Sequence, residues 1–108
     1  HPDRVSFVSE VEEDLARRDF TVNAMAYSPD RGLCDPFGGR GDLKAGILRC
    51  VGKAEQRFSE DPLRILRALR FRAVYGFRLE KETDRSAGER YEDLRKISWE
   101  RITAEMEN

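Results

Sequence analysis

The segment "PLRILRALRFRAVYG", Pro62 to Gly76, constrains the fold more than any other part of the chain. Between its proline and its glycine lies an unbroken run of good helix formers, and both ends are punctuated as a helix requires. Pro62 sits where a first-turn proline is tolerated, with Ser59 as the expected N-cap and Glu60 and Asp61 near the positive end of the dipole. Gly76 is the natural stop. At about 100° per residue, Leu66, Leu69 and Ala73 gather on one face, with Pro62 and Ile65 at its margin. Arg64, Arg67 and Arg70 drift by roughly 60° per step and stay off that stripe.

Around this helix the chain divides near residue 53. Upstream, "RVSFVS" (Arg4–Ser9) alternates and predicts a short strand. "EVEEDLARRDF" then places acids early and arginines late, as a helix prefers. "FTVNAMAYS" suits helix or strand equally. "AMAYS-PDRG-LCDPF" reads as a hairpin around the turn Pro29–Gly32. "LCDPFGGRGD" holds too much glycine and proline to be regular, with Asp42 expected to cap a short helix beginning near Leu43. Asn23 is expected to be structural, and "ILRCVG" (Ile47–Gly52) predicts another short strand. Downstream of Lys53 the pattern is helical to the end, with Ser98 as a possible N-cap before the last helix. The expected class is therefore α+β, a mixed half followed by a helical half.

At 108 residues, 39% hydrophobic and 38% charged, the chain is one strongly polar domain's worth of protein with no membrane-spanning run. A net charge of −1 names no partner, but its distribution does more. From Arg57 to Arg78 there are six arginines and two acids, which suggests a specific anion site rather than a general nucleic-acid coat. Cys34 and Cys50 form no metal-binding spacing, the one histidine is His1, and two free thiols fit a reducing cytoplasm. No signal peptide is visible, and the start "HPDRV", without an initiator methionine, suggests a fragment.

Asp61 and Arg64 admit two readings. One is an i,i+3 salt bridge on a solvated arginine face, worth a few tenths of a kcal/mol. The other rests on chemical complementarity. A carboxylate only accepts hydrogen bonds and a guanidinium only donates them. Held side by side, they match an amino donor next to a ring-nitrogen acceptor. Cytosine and adenine show that pair on their Watson–Crick edges, whereas uracil and guanine present a carbonyl beside an N–H. Such a reader accepts C and A and rejects U and G, because a mismatch sets donor against donor. Arginines further along can hold phosphates bidentately.

Four stretches occur in order: "EDLARRDFTVNAMAY", "DPFGGRGDLKAGILRCVG", "RFSEDPLRILRALRFRA" and "ISWERI". They resemble motifs B, C, D and E of the class II tRNA nucleotidyltransferases, the CCA-adding enzymes, and of the related bacterial poly(A) polymerases. The resemblance implies that residues 1–52 are the second half of a nucleotidyltransferase head and that 53–108 begin a helical neck. It implies that Asp61 and Arg64 are the template for CTP and ATP, and that Arg67 and Arg70 line the nucleotide site through phosphates. Arg18 matches a nucleotide-contacting arginine, and Asp19 matches the residue that bonds the ribose hydroxyl. Gly38 and Gly39 fall in a segment that acts as a hinge between head and neck. The tRNA 3′ end is the implied acceptor.

Nucleotidyl transfer also needs carboxylates that hold metal ions. The family supplies them from a D-x-D element in motif A, and this sequence contains no D-x-D. Mg2+ is therefore expected in the whole enzyme on residues absent here, and no catalytic or metal-binding residue is assigned in this chain. Motif A is expected upstream of His1, and the helical body and tail downstream of Asn108. The alternatives are a poly(A) polymerase fragment, an enzyme restricted to CC or A addition, or a non-catalytic RNA-binding module. The register of Asp61 argues against the last, since a phosphate-only surface has no need of an acid. No feature sets the oligomeric state.

Overall fold

The computed structural model describes residues 4–97 and 99–107, with side chains from residue 9 onward. The cap expected at Ser98 lies outside the described residues. The order is α1 (Arg4–Ala16), β1 (Ala26–Ser28), β2 (Gly32–Cys34), α2 (Gly39–Ala45), β3 (Ile47–Leu48), α3 (Ala54–Glu60), α4 (Leu63–Tyr75), β4 (Arg78–Leu79), α5 (Lys81–Arg90) and α6 (Trp99–Glu107). Short 3-10 turns cover Thr21–Asn23 and Tyr91–Lys96. This is the α+β class expected. No helix among the described residues is long and apolar enough to cross a membrane.

The strand expected at Arg4–Ser9 is instead the first turns of α1. Nothing between Arg4 and Ala16 breaks a helix, so the helix predicted from Glu10 propagates backward once nucleated. It is held by Val11 and Leu15, four residues apart, which pack with Ala24 and Val51. The hairpin forms as read, Ala26 opposite Cys34 and Tyr27 opposite Leu33. Asn23 is structural, its Oδ1 accepting the Phe20 N–H at 3.2 Å.

The glycine-rich segment is more regular than its composition implies, because α2 starts at Gly39. Asp35, not Asp42, caps it: the Asp35 carboxylate accepts from the N–H of Gly39 (2.6 Å) and of Arg40 (3.0 Å). Asp42 lies inside the first turn and accepts from Thr21 Oγ1 at 2.6 Å and Arg49 Nε at 3.1 Å. The adjacent glycines serve different ends. Gly38 takes φ +74° in open space, whereas a Cβ on Gly39 would stand 2.0 Å from the Thr21 carbonyl oxygen. Gly38→Ala is therefore expected to cost about 1 kcal/mol, and Gly39→Ala about 2–4 kcal/mol. Chemical denaturation of the two variants checks the order; a smaller loss at Gly39 than at Gly38 would contradict the close approach.

The helix expected to start at a Ser59 cap with Pro62 in its first turn starts later, at Leu63, and a separate helix, α3, precedes it. Asp61 is extended (φ −149°, ψ 96°), as the residue before a proline prefers, so α3 ends at Glu60. Ser59 lies inside α3 and caps nothing; Asp61 Oδ1 accepts the Leu63 N–H at 3.1 Å and starts α4. Gly76 ends α4 in the left-handed region, φ 71°. The buried face of α4 is Leu63, Ile65 and Ala68 rather than the predicted Leu66–Leu69–Ala73 stripe. That stripe lines an open groove with Val74 and Met106. The reason is tertiary: the core lies beside α3, β3 and α5, and it selects the face turned toward them.

That core draws on both halves of the chain. Phe20, Val22, Leu48 and Cys50 pack with Ala54, Phe58, Ile65, Ala68, Leu79 and Ala87. Parallel pairing of Ile47 with Arg78 and Leu48 with Leu79 ties β3 to β4, a strand the sequence reading missed. The buried Thr83 hydroxyl accepts the Cys50 N–H at 3.1 Å and donates to Glu80 Oε1 at 3.0 Å. Glu80 caps α5 through the N–H groups of Glu82 and Thr83. Burial works against its charge, but these bonds and Arg49 outweigh it and hold the carboxyl below the usual glutamate range. Burial pushes the Cys50 thiol up to about 11, so it stays protonated at neutral pH.

Candidate functional site

The site begins with the backbone around Asp19. Residues 19–21 pair with 49–51 through Val51 N–H to Asp19 O (3.0 Å) and Thr21 N–H to Arg49 O (2.9 Å). Arg57 of α3 clamps the turn just before, its Nη2 donating to the carbonyls of Arg17 (3.0 Å) and Arg18 (2.5 Å). Asp19 is thereby fixed in place facing α4, and its side chain is only 18% exposed.

Both Asp19 oxygens are engaged, Oδ1 by Arg64 Nε at 2.8 Å and Oδ2 by Arg67 Nη1 at 3.0 Å. Arg64 also donates Nη1 to the Arg57 carbonyl at 2.8 Å. Its guanidinium is therefore locked by two partners on elements outside α4. Asp61 Oδ1 takes the Leu63 N–H and lies 3.4 Å from Arg101 Nη2 of α6, while Asp61 Oδ2 lies 3.9 Å from Arg67 Nη1. Glu105, also on α6, binds Arg67 Nε at 2.6 Å. Its backbone carbonyl accepts from Arg70 Nη1 at 3.2 Å.

Five of the six residues expected at the nucleotide site thus converge: Asp19, Asp61, Arg64, Arg67 and Arg70. Arg18 does not join them; it pairs with Asp14 at 3.3 Å on the surface. The i,i+3 bridge of the bland reading is not among the described contacts, because Arg64 turns to Asp19 rather than to Asp61. Acceptor and donor instead sit on one seam, linked through Arg67 and Asp19. The bonds of Arg64 use Nε and Nη1 out of five N–H donors, and Asp61 Oδ2 meets only the 3.9 Å approach of Arg67 among the described contacts. Such a seam can offer a fixed acceptor and a fixed donor to one ligand edge. Burial opposes the charge of Arg67, but Glu105 and Asp19 more than offset it and keep the guanidinium above the usual arginine range.

Arg57, Arg101 and Glu105 escaped the sequence reading. Arg57 stood out only as the first arginine of the basic stretch. Glu105 gave no local signal, since its partner Arg67 is 38 positions away. Gly38 and Gly39 lie apart from the charged seam, at the start of α2. Among the described residues no group of three or more His, Cys, Asp or Glu side chains is arranged to hold a metal.

Comparison with known proteins follows the same outline. Residues 1–49 match the family model described as the poly A polymerase head domain. A CCA-adding enzyme of Lactobacillus gasseri is 52% identical over 105 residues, 97% of this chain and 26% of that protein. The CCA-adding enzyme of Bacillus subtilis is 47% identical over 106 residues, 98% of this chain and 27% of that protein. Among solved structures, the Bacillus stearothermophilus CCA-adding enzyme in complex with CTP superposes with a TM-score of 0.84 at 48% identity, covering 90% of this chain and 25% of that one. A CCA-adding enzyme complex with ATP gives 0.81 at 42% identity, covering 92% and 24%. The chain spans about a quarter of the length of the relatives it matches.

Proposed function

We propose that the chain belongs to the family of CCA-adding enzymes, which shares the poly(A) polymerase head, and that it is the nucleotide-selecting part of a CCA-adding tRNA nucleotidyltransferase. Residues 1–52 complete the head and 53–108 begin the neck. Asp61 and Arg64 read the base of the incoming nucleotide; Asp19 serves its ribose, Arg67 and Arg70 line the same site, and Arg18 serves the nucleotide only by leaving Asp14. The substrates are CTP and ATP, the acceptor is the tRNA 3′ end, and the work is cytoplasmic. Mg2+ belongs to this chemistry and is held outside this chain. Gly38 and Gly39 provide the hinge between C and A addition.

The observation that carries the reading is the convergence of Asp19, Asp61 and Arg64 on one seam from two distant segments. A solvated arginine face has no reason to lock Arg64 against Asp19 and a backbone carbonyl, with 15% of its side chain exposed. Preorganisation of that kind suits a group whose donors must point one way. Equilibrium titration of the full-length protein with the four ribonucleoside triphosphates tests it. CTP and ATP are expected to bind at least tenfold more tightly than UTP and GTP. Equal binding of all four removes the base reader.

A further inference from the structure

The resemblance assigns Arg67 to nucleotide phosphates, but its surroundings are wrong for that. Two edges of its guanidinium are already taken, Nε by Glu105 at 2.6 Å and Nη1 by Asp19 at 3.0 Å. A third carboxylate, Asp61, lies 3.9 Å from the same Nη1. A phosphate drawn to Arg67 would enter among three carboxylates and meet repulsion from each. Glu105 is no loose surface acid, since only 13% of its side chain is exposed.

We propose, building on the base-reader reading, that Arg67 and Glu105 form a positioning pair that sets nucleotide specificity without touching phosphate. Arg67 reaches both halves of the reader. It approaches Asp61 directly, and it shares the Asp19 carboxylate with Arg64, one oxygen each. It therefore fixes the distance between the acceptor and the donor that a base edge must match. Glu105 holds Arg67 from the far side. Arg101, one turn earlier on α6, reaches Asp61 at 3.4 Å. The last helix thus grips the reader at two points, and a change in the seat of α6 changes which base edge fits.

Two variants of the full-length protein separate this from a phosphate role. Arg67→Lys keeps the charge, which a phosphate contact tolerates, but loses the planar fork that binds two carboxylates at once. Glu105→Gln removes the anchoring charge with little change of shape. Each is expected to lower the CTP-over-UTP affinity ratio about tenfold while binding of inorganic pyrophosphate stays within twofold. Should the Gln protein fail to fold, Glu105→Asp keeps the charge but withdraws it by one methylene, and it is expected to lower the ratio several-fold. An affinity ratio preserved while pyrophosphate and CTP binding weaken together would make Arg67 a phosphate ligand and overturn the proposal. Tighter pyrophosphate binding in Glu105→Gln would make Glu105 a competitor of phosphate and overturn it as well. A wild-type protein that binds all four nucleotides equally fails at the earlier step, the reader itself, which the variants alone cannot mimic.

Discussion

Arg64→Ala is expected to erase the preference for CTP and ATP over UTP and GTP, moving the affinity ratio from tenfold or more to about one. The cause is what the guanidinium leaves behind. With it gone, the Asp19 carboxylate loses its 2.8 Å partner and the Arg57 carbonyl its 2.8 Å donor. Each is a part-buried acceptor, so a stability loss of about 1–3 kcal/mol accompanies the loss of selectivity. Asp61→Ala should erase the same preference, with a milder structural cost centred on the start of α4, where Asp61 accepts the Leu63 N–H; losing such a cap costs about 1 kcal/mol. The diagnostic result is the pair taken together. Both variants lose discrimination, but only Arg64→Ala disturbs the contact to residue 19. Isothermal titration with each nucleotide and denaturant melts of both variants measure the two effects separately. A variant of either residue that keeps the full ratio excludes that residue from base reading.

How much of this was legible before folding depends on the range of each interaction. The end of α4 at Gly76 was readable because glycine in the left-handed region is a local device. The hairpin was readable for the same reason. A helix start beside Pro62 was readable from the proline, but the cap was placed at Ser59, whereas the extended Asp61 provides it. The strand–helix error at Arg4–Ser9 has a different cause. Six alternating residues cannot outweigh a helix that continues through them without interruption. The buried face of α4 was only partly legible: Ile65, at the margin of the predicted stripe, is buried and Leu69 packs against the core, but which way the helix turns depends on where α3, β3 and α5 lie. At the site, five of the residues named from the sequence lie together, yet their partners were misjudged. Asp61 and Arg64 are one turn apart in sequence, and local spacing suggested that they meet. Asp19 wins Arg64 instead because the pairing of residues 19–21 with 49–51 delivers a carboxylate already fixed in place. Glu105 wins Arg67 by the docking of α6, a contact across 38 positions that no local pattern announces.

The 108-residue chain on its own is expected to transfer no nucleotide to a tRNA 3′ end, with or without Mg2+, even if it retains its selectivity in binding. Selection and chemistry use different groups. The proposed selection needs a rigid donor and acceptor, and it rests on α4 and residue 19. Nucleotidyl transfer needs a divalent ion to activate the attacking 3′-hydroxyl and to neutralise the departing pyrophosphate, and such ions are held by closely spaced carboxylates. The acids at the seam and at the start of α2 are already engaged: Asp19 by Arg64 and Arg67, Glu105 by Arg67 and Arg70, Asp42 by Thr21 and Arg49, Asp35 by the first N–H groups of α2. The sequence offers no D-x-D spacing from which a further set could be drawn. Losing metal-assisted catalysis removes many orders of magnitude in rate, so the expected result is incorporation indistinguishable from a blank with radiolabelled CTP or ATP. Addition of even one residue by the purified chain would show that its own carboxylates assemble a metal site, and the separation of selector from catalyst would fall with it.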